Sequence, residues 1–148
     1  MFTIDDNDST ARKEAIFIDA SGSIDLKLVQ KHLGLWEDAL KQYSNDFEVH
    51  FSCFDNKEVY NILRITKANI NDIQSYKVVG GGGSELPPCW EYMKKHNMTH
   101  GLVFTDGYIH WGNDPRLDIH FLIHGMTMTN MKPTPGRTPP YGKYGFVS

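Results

Sequence analysis

Asp19-Ala20-Ser21-Gly22-Ser23 comes directly after the apolar run Ala15-Ile16-Phe17-Ile18 and directly before a helical pattern that begins near Ile24. One carboxylate and two hydroxyls therefore converge at a strand-to-helix turn. In an open α/β sheet, ligands bind in the crevice outside the carboxyl ends of the strands, so these oxygens sit where recognition or chemistry is expected. Oxygen-only donors suit a hard cation, with Mg²⁺ the first choice.

Downstream of this turn, Val29, Leu33, Trp36, Leu40 and Tyr43 step by four and three, which predicts one face of an amphipathic helix between Ile24 and Tyr43. Lys27, Lys31, Asp38 and Lys41 make its polar face. Phe47 to Phe54 reads as a second strand, Asp55-Asn56 as a turn, and Lys57 to Ile65 as an antiparallel return. Residues 66 to 75 carry no decisive pattern. Tyr76 to Val79 reads as a short strand running into Gly80 to Gly83. Ser84 is the expected N-cap of a second helix reaching Asn97, with two prolines early, Trp90 and Met93 inside, and Lys94 and Lys95 near the end. Gly101 to Thr105 is a buried strand ending at Asp106-Gly107, and Asp118 to His124 is another, ending at Gly125. Residues 131 to 142 are rich in Pro and Gly, and Tyr144 to Val147 adds a last strand. Strands alternating with helices predict an α/β fold: a three-layer, doubly wound, mostly parallel Rossmann-like sheet with helices on both faces.

The chain has 148 residues, 40% hydrophobic and 22% charged, which is enough for one domain with a real core. Residues 1–13 lack periodicity and read as a short frayed arm ahead of a domain spanning 14–148. A formal net charge of -3 gives no basic field of the kind that draws nucleic acid, so none is expected as a partner. Cys53 and Cys89 form no CxxC and no disulfide framework, which fits a reducing compartment. No segment approaches the roughly 18 apolar residues of a membrane span. A cytoplasmic protein without a membrane partner is the expectation.

Three segments place oxygen donors at the end of a predicted strand: Asp19 with Ser21 and Ser23, Ser84 after the glycines, and Asp106. Parallel topology would bring them to one edge. Two acids and three hydroxyls suit a metal held partly by neutral groups and partly through water. Mg²⁺ prefers octahedral geometry at about 2.0 to 2.1 Å and keeps some of its waters, so an incomplete protein cage with an open position is reasonable. With so little neutralising charge nearby, the ion would attract an external carboxylate.

At this point the chain resembles the von Willebrand factor A-like (VWA) domains with a metal-ion-dependent adhesion site, whose DxSxS signature is present as Asp19-x-Ser21-x-Ser23. It is most similar to an intracellular bacterial and phage branch that is often associated with metallopeptidase domains. That branch follows DxSGS with a helix, a strand ending near Cys-x-Asp, a GGT-type loop and a strand ending in TDG. Here the same order runs through Cys53-Phe54-Asp55, Gly80 to Ser84 and Thr105-Asp106-Gly107, and the tail Pro139-Pro140-Tyr141-Gly142 is also similar. The resemblance covers residues 14 to 148. It implies a protein-interaction module in which Ser21 and Ser23 bind Mg²⁺ directly, Ser84 stands in for the family's threonine, and Asp19 and Asp106 act directly or through water. Mn²⁺ or Ca²⁺ are alternative ions. An Asp or Glu of a partner would complete the coordination, and a MoxR-type AAA ATPase or a metallopeptidase-like protein is the implied partner. Ser84 keeps the hydroxyl of threonine but lacks the methyl that restricts χ1. The chain has no HExxH and is not expected to be a peptidase.

Each motif also has a plainer reading. DxSGS alone would serve as a helix cap, and the glycines lack the Gly-Lys-Ser/Thr of a phosphate-binding loop. Asp55 reads as a turn residue, His120 and His124 as packed or solvated rather than zinc ligands, and Trp36 and Trp90 as core. An aspartate after the first strand is also the nucleophile position of haloacid-dehalogenase-like phosphatases, which makes a Mg²⁺-dependent phosphoryl-transfer enzyme the rival reading. Those enzymes carry a second acid two residues on, where this chain has Ser21. The third reading is a metal-free scaffold that retains the fold. A non-catalytic binding domain is the expectation.

Overall fold

Ala15, Ile16, Phe17 and Ile18 are fully buried because their strand lies in the middle of the sheet, where both faces are covered and no polar face is needed. The computed structural model of the protein describes residues 12–20, 24–80, 85–125 and 138–147. Strand β1, Arg12–Asp19, starts ahead of the apolar run, since Arg12 and Lys13 already pair with Phe47 and Glu48. It is followed by helix α1, Leu26–Lys41, and strands β2, Phe47–Phe54, and β3, Val59–Ile65. A 3-10 helix, Ile70–Ser75, precedes helix α2, Pro87–Lys95. Strands β4, His100–Thr105, β5, Asp118–Ile123, and β6, Lys143–Phe146, complete the chain.

The six strands lie in the order β3-β2-β1-β4-β5-β6, and every neighbouring pair is parallel except β2 with β3. The fold is therefore α/β with a mostly parallel, Rossmann-like sheet, as the alternation of strands and helices predicts. Successive side chains of β1 point to opposite faces, which divides the core. Ile16 and Ile18 join Leu33, Trp36, Leu40, Phe51 and Phe104 beneath α1. Ala15 and Phe17 join Trp90, Met93, Val103 and Phe121 beneath α2. Trp36, Trp90 and both cysteines are core residues.

The local chemistry of the ends sets the element boundaries. The Asp25 carboxylate accepts from the backbone N–H groups of Lys27, at 3.0 Å, and Leu28, at 3.2 Å, and so caps α1. Two features differ from the sequence reading. Helix α2 begins at Pro87 with Leu86 in the N-cap position, so Ser84 is not its cap; prolines at the first helical positions have no N–H for a cap to satisfy. Tyr76 to Val79 is not a strand. Its Lys77 carbonyl accepts from the Asn61 side chain at 2.6 Å rather than from a ladder. Tyr76 donates to the Asn61 carbonyl at 2.8 Å and packs its ring on Phe51, so the segment folds inward instead of extending the sheet edge. No helix among the described residues is long and apolar enough to cross a membrane.

Candidate functional site

From β1 the chain moves through α1 to β2 on one side, whereas β4, β5 and β6 lie on the other. The strand order thus reverses between β1 and β4, and the crevice outside their carboxyl ends is where ligands bind in such sheets. Asp19 ends β1 and Asp106 directly follows β4. Ile18 is paired with Phe104, so one residue further Asp19 stands beside Thr105. The Thr105 hydroxyl donates to Asp19 Oδ2 at 2.7 Å and accepts from the Gly107 N–H at 3.2 Å. Asp19, Thr105 and Asp106 are all buried, at 2%, 0% and 6% exposure, so the two acids form a recessed floor rather than a solvated face.

Each residue of Thr105-Asp106-Gly107 has a distinct physical task. Thr105 ties the ends of the two central strands together through Asp19. Asp106 Oδ1 accepts from the Tyr108 N–H at 2.9 Å, a side-chain turn that directs the chain away from the sheet. Gly107 has φ of +83°, a conformation costly for a residue with a Cβ.

Ser21, Ser23 and Ser84 lie outside the described residues, as do Gly81 to Gly83. The residues flanking them are placed. Ala20, next to Ser21, is buried against the start of the glycine run. A Cβ on Gly80 would stand 3.1 Å from the Ala20 Cβ and collide with the Tyr60 hydroxyl, and Gly80 has φ of +144°. Past the run, Glu85 forms a parallel bridge with His110, in the loop that leaves β4. The two described residues that flank Gly81 to Ser84 are therefore held at the β1 end, for Gly80, and at the β4 loop, for Glu85.

Asp19 also imposes its charge on its surroundings. Burial raises the Cys89 thiol well above its ordinary range, and the Asp19 carboxylate adds to that rise. Cys89 stays a protonated thiol, a poor metal ligand, so the floor keeps its oxygen character. Burial likewise raises the Tyr60 phenol, with Cys53, Asp55 and Asp19 contributing. The positioning role of Thr105 and the nearness of Cys89 were not legible in the sequence: a strand-end Thr before an Asp hints at the first, and nothing local signals the second.

The remaining candidates sit elsewhere. Asp55 accepts from the N–H groups of Lys57 and Glu58 at 2.8 and 2.9 Å, which makes the β2–β3 turn and holds its carboxyl below the usual range. His124 is buried and stacks on Phe104 with ring centroids 4.8 Å apart. Burial lowers the His120 pKa. Among the described residues no group of three or more His, Cys, Asp or Glu side chains could hold a metal ion.

The chain belongs to the VWA-like domain family (DUF2201), whose model matches residues 15–145. That span runs from the second half of β1 into β6 and contains both acids of the floor. A search of curated proteins returned no match.

Proposed function

We propose that this VWA-like domain is a Mg²⁺-dependent protein-interaction module whose open metal position takes an Asp or Glu from a partner. The observation that carries this reading is that two buried acids end the central strands at the β1/β4 reversal: Asp19, which accepts from the Thr105 hydroxyl, and Asp106, which directly follows β4. The donor chemistry fits a hard cation: the two acids offer oxygen atoms, and burial together with the Asp19 charge keeps the Cys89 thiol protonated. Ser21, Ser23 and Ser84 would join the two acids in holding the ion, with Mn²⁺ or Ca²⁺ as alternatives. When bound, the ion supplies a positively charged position that draws a carboxylate.

The chain's own part is preorganisation. Thr105 fixes one carboxylate, the Asp106 turn fixes the other, and Gly80 lies against Ala20. Family resemblance adds a MoxR-type AAA ATPase or a metallopeptidase-like protein as the partner, and a cytoplasmic setting; both rest on analogy. The role is binding rather than turnover. The test is thermal melting of the wild type, Ser21→Ala and Asp106→Ala with and without millimolar Mg²⁺. A metal-dependent rise in Tm restricted to the wild type is expected. An equal rise in all three proteins would place the ion elsewhere.

A further inference from the structure

Six large apolar side chains are strongly exposed among the described residues: Leu26, Leu35, Ile62, Val79, Tyr108 and Tyr144. Single exposed apolar residues are ordinary on a soluble protein, so position decides whether any of these means something. Leu35 lies on α1 in a groove shared with Leu122 and Phe146, and Ile62 and Tyr144 lie on the two edge strands, β3 and β6. The other three share one edge. Leu26 opens α1 directly after the β1 turn and is 62% exposed. Val79, at 54%, immediately precedes Gly80, whose backbone lies against Ala20. Tyr108, at 70%, is two residues past Asp106 and is held there by its N–H bond to the Asp106 carboxylate. Each of the three segments that meet at the candidate floor thus carries one exposed apolar side chain.

The geometry points to a recognition rim in which Leu26, Val79 and Tyr108 surround the acidic floor and select a partner carboxylate set between large apolar side chains. This rests on the metal-dependent reading above and names the partner's chemistry. The ion at the floor would attract any carboxylate, so charge alone does not choose among acidic partners. Charge on the surrounding rim is mixed, with Lys27, Lys77 and Glu85 exposed on the same segments, and so gives little further selection. Apolar contact supplies it: an exposed leucine, valine and tyrosine gain by burial only if the partner brings apolar surface beside its acid. The partner is a polypeptide segment, because a bare carboxylate or phosphate leaves this rim in water.

The experiment is calorimetric titration of two synthetic peptides into the Mg²⁺-saturated protein, acetyl-Gly-Gly-Asp-Gly-Gly-amide and acetyl-Gly-Leu-Asp-Phe-Gly-amide. The second should bind at least about tenfold more tightly, the factor that burying one further large apolar side chain supplies. Chelation should abolish binding of both. Tyr108→Ser and Val79→Ser should remove the discrimination while leaving Mg²⁺ affinity and Tm unchanged; Leu35→Ser and Tyr144→Ser should preserve it. Equal affinity for the two peptides with Mg²⁺ bound would overturn the rim and leave the metal site standing. Discrimination that survives chelation or both rim substitutions would also overturn it. Absence of Mg²⁺ binding in the wild type would remove the metal reading and the rim together.

Discussion

The Thr105 hydroxyl does more for the site than its place in a buried strand suggests. It donates to a 2%-exposed carboxylate, and taking a donor away from a buried acid leaves part of its desolvation cost uncompensated. Thr105→Val, which keeps the shape and removes the hydroxyl, should therefore destabilise the fold by about 1 to 3 kcal/mol in urea unfolding and weaken Mg²⁺ binding. Thr105→Ser should recover most of both. Unchanged stability in Thr105→Val would mean that Asp19 has no need of this bond. At Gly80, substitution by Ala meets both a left-handed backbone and the Tyr60 hydroxyl, so Gly80→Ala should lower Mg²⁺ affinity by displacing the backbone at Gly80 from Ala20. Wild-type affinity in that variant would contradict the role given to this glycine. Asp19 and Asp106 were legible as strand-end acids because each stands at the end of its own largely apolar run. The tie from Thr105 to Asp19 spans 86 positions and needs the sheet register to exist.

Between elements, the clearest device is a polar chain that straps α2 to β2 and β3. Glu48 accepts from Arg64 at 2.8 Å and from His50 Nε2 at 2.6 Å, and the other ring nitrogen, Nδ1, accepts the Tyr92 hydroxyl at 2.5 Å. Burial holds the His50 pKa below its ordinary 6.5, although the Glu48 bond pulls the other way, and His96 and Lys13 add repulsion to the charged form. Unfolded chain thus takes up this proton at a higher pH than folded chain does. The sign follows: stability is complete above about pH 6.5 and falls as pH drops below it. A second loss follows below about pH 4.5, because the Arg64 and His50 bonds hold the Glu48 carboxyl down at about 2. Tm measured from pH 8 to pH 5 should decline in the wild type and flatten in His50→Gln; parallel curves would assign the decline to other groups. On the other face Trp36, packed on Phe51 and Phe104, should cost about 3 to 5 kcal/mol when cut to alanine. The strands and α1 were readable because burial on both faces or on one stripe leaves a period in the sequence. Tyr76 to Val79 was misread because buried Tyr76 and half-buried Val78 alternate with exposed Lys77 and Val79, the period of a strand, although the Lys77 carbonyl accepts from the Asn61 side chain rather than from a ladder. The start of α2 was misread because Ser84 looks like a cap whether or not the helix reaches it.

For the whole molecule, alternating strands and helices determined the doubly wound class, and the reversal of strand order then placed Asp19 beside Thr105, with Asp106 the next residue along. The family match over residues 15–145 agrees with that architecture. The two strand-end acids were legible as parts of ordered motifs; how Thr105 holds Asp19 required the fold. The central claim is that this edge binds a divalent ion through its aspartates and serines, and isothermal titration of Mg²⁺ into chelator-treated wild type and Ser21→Ala tests it most directly. The account predicts saturable one-site binding in the wild type and its loss in the variant. Identical titrations of the two proteins, with or without heat of binding, would contradict it.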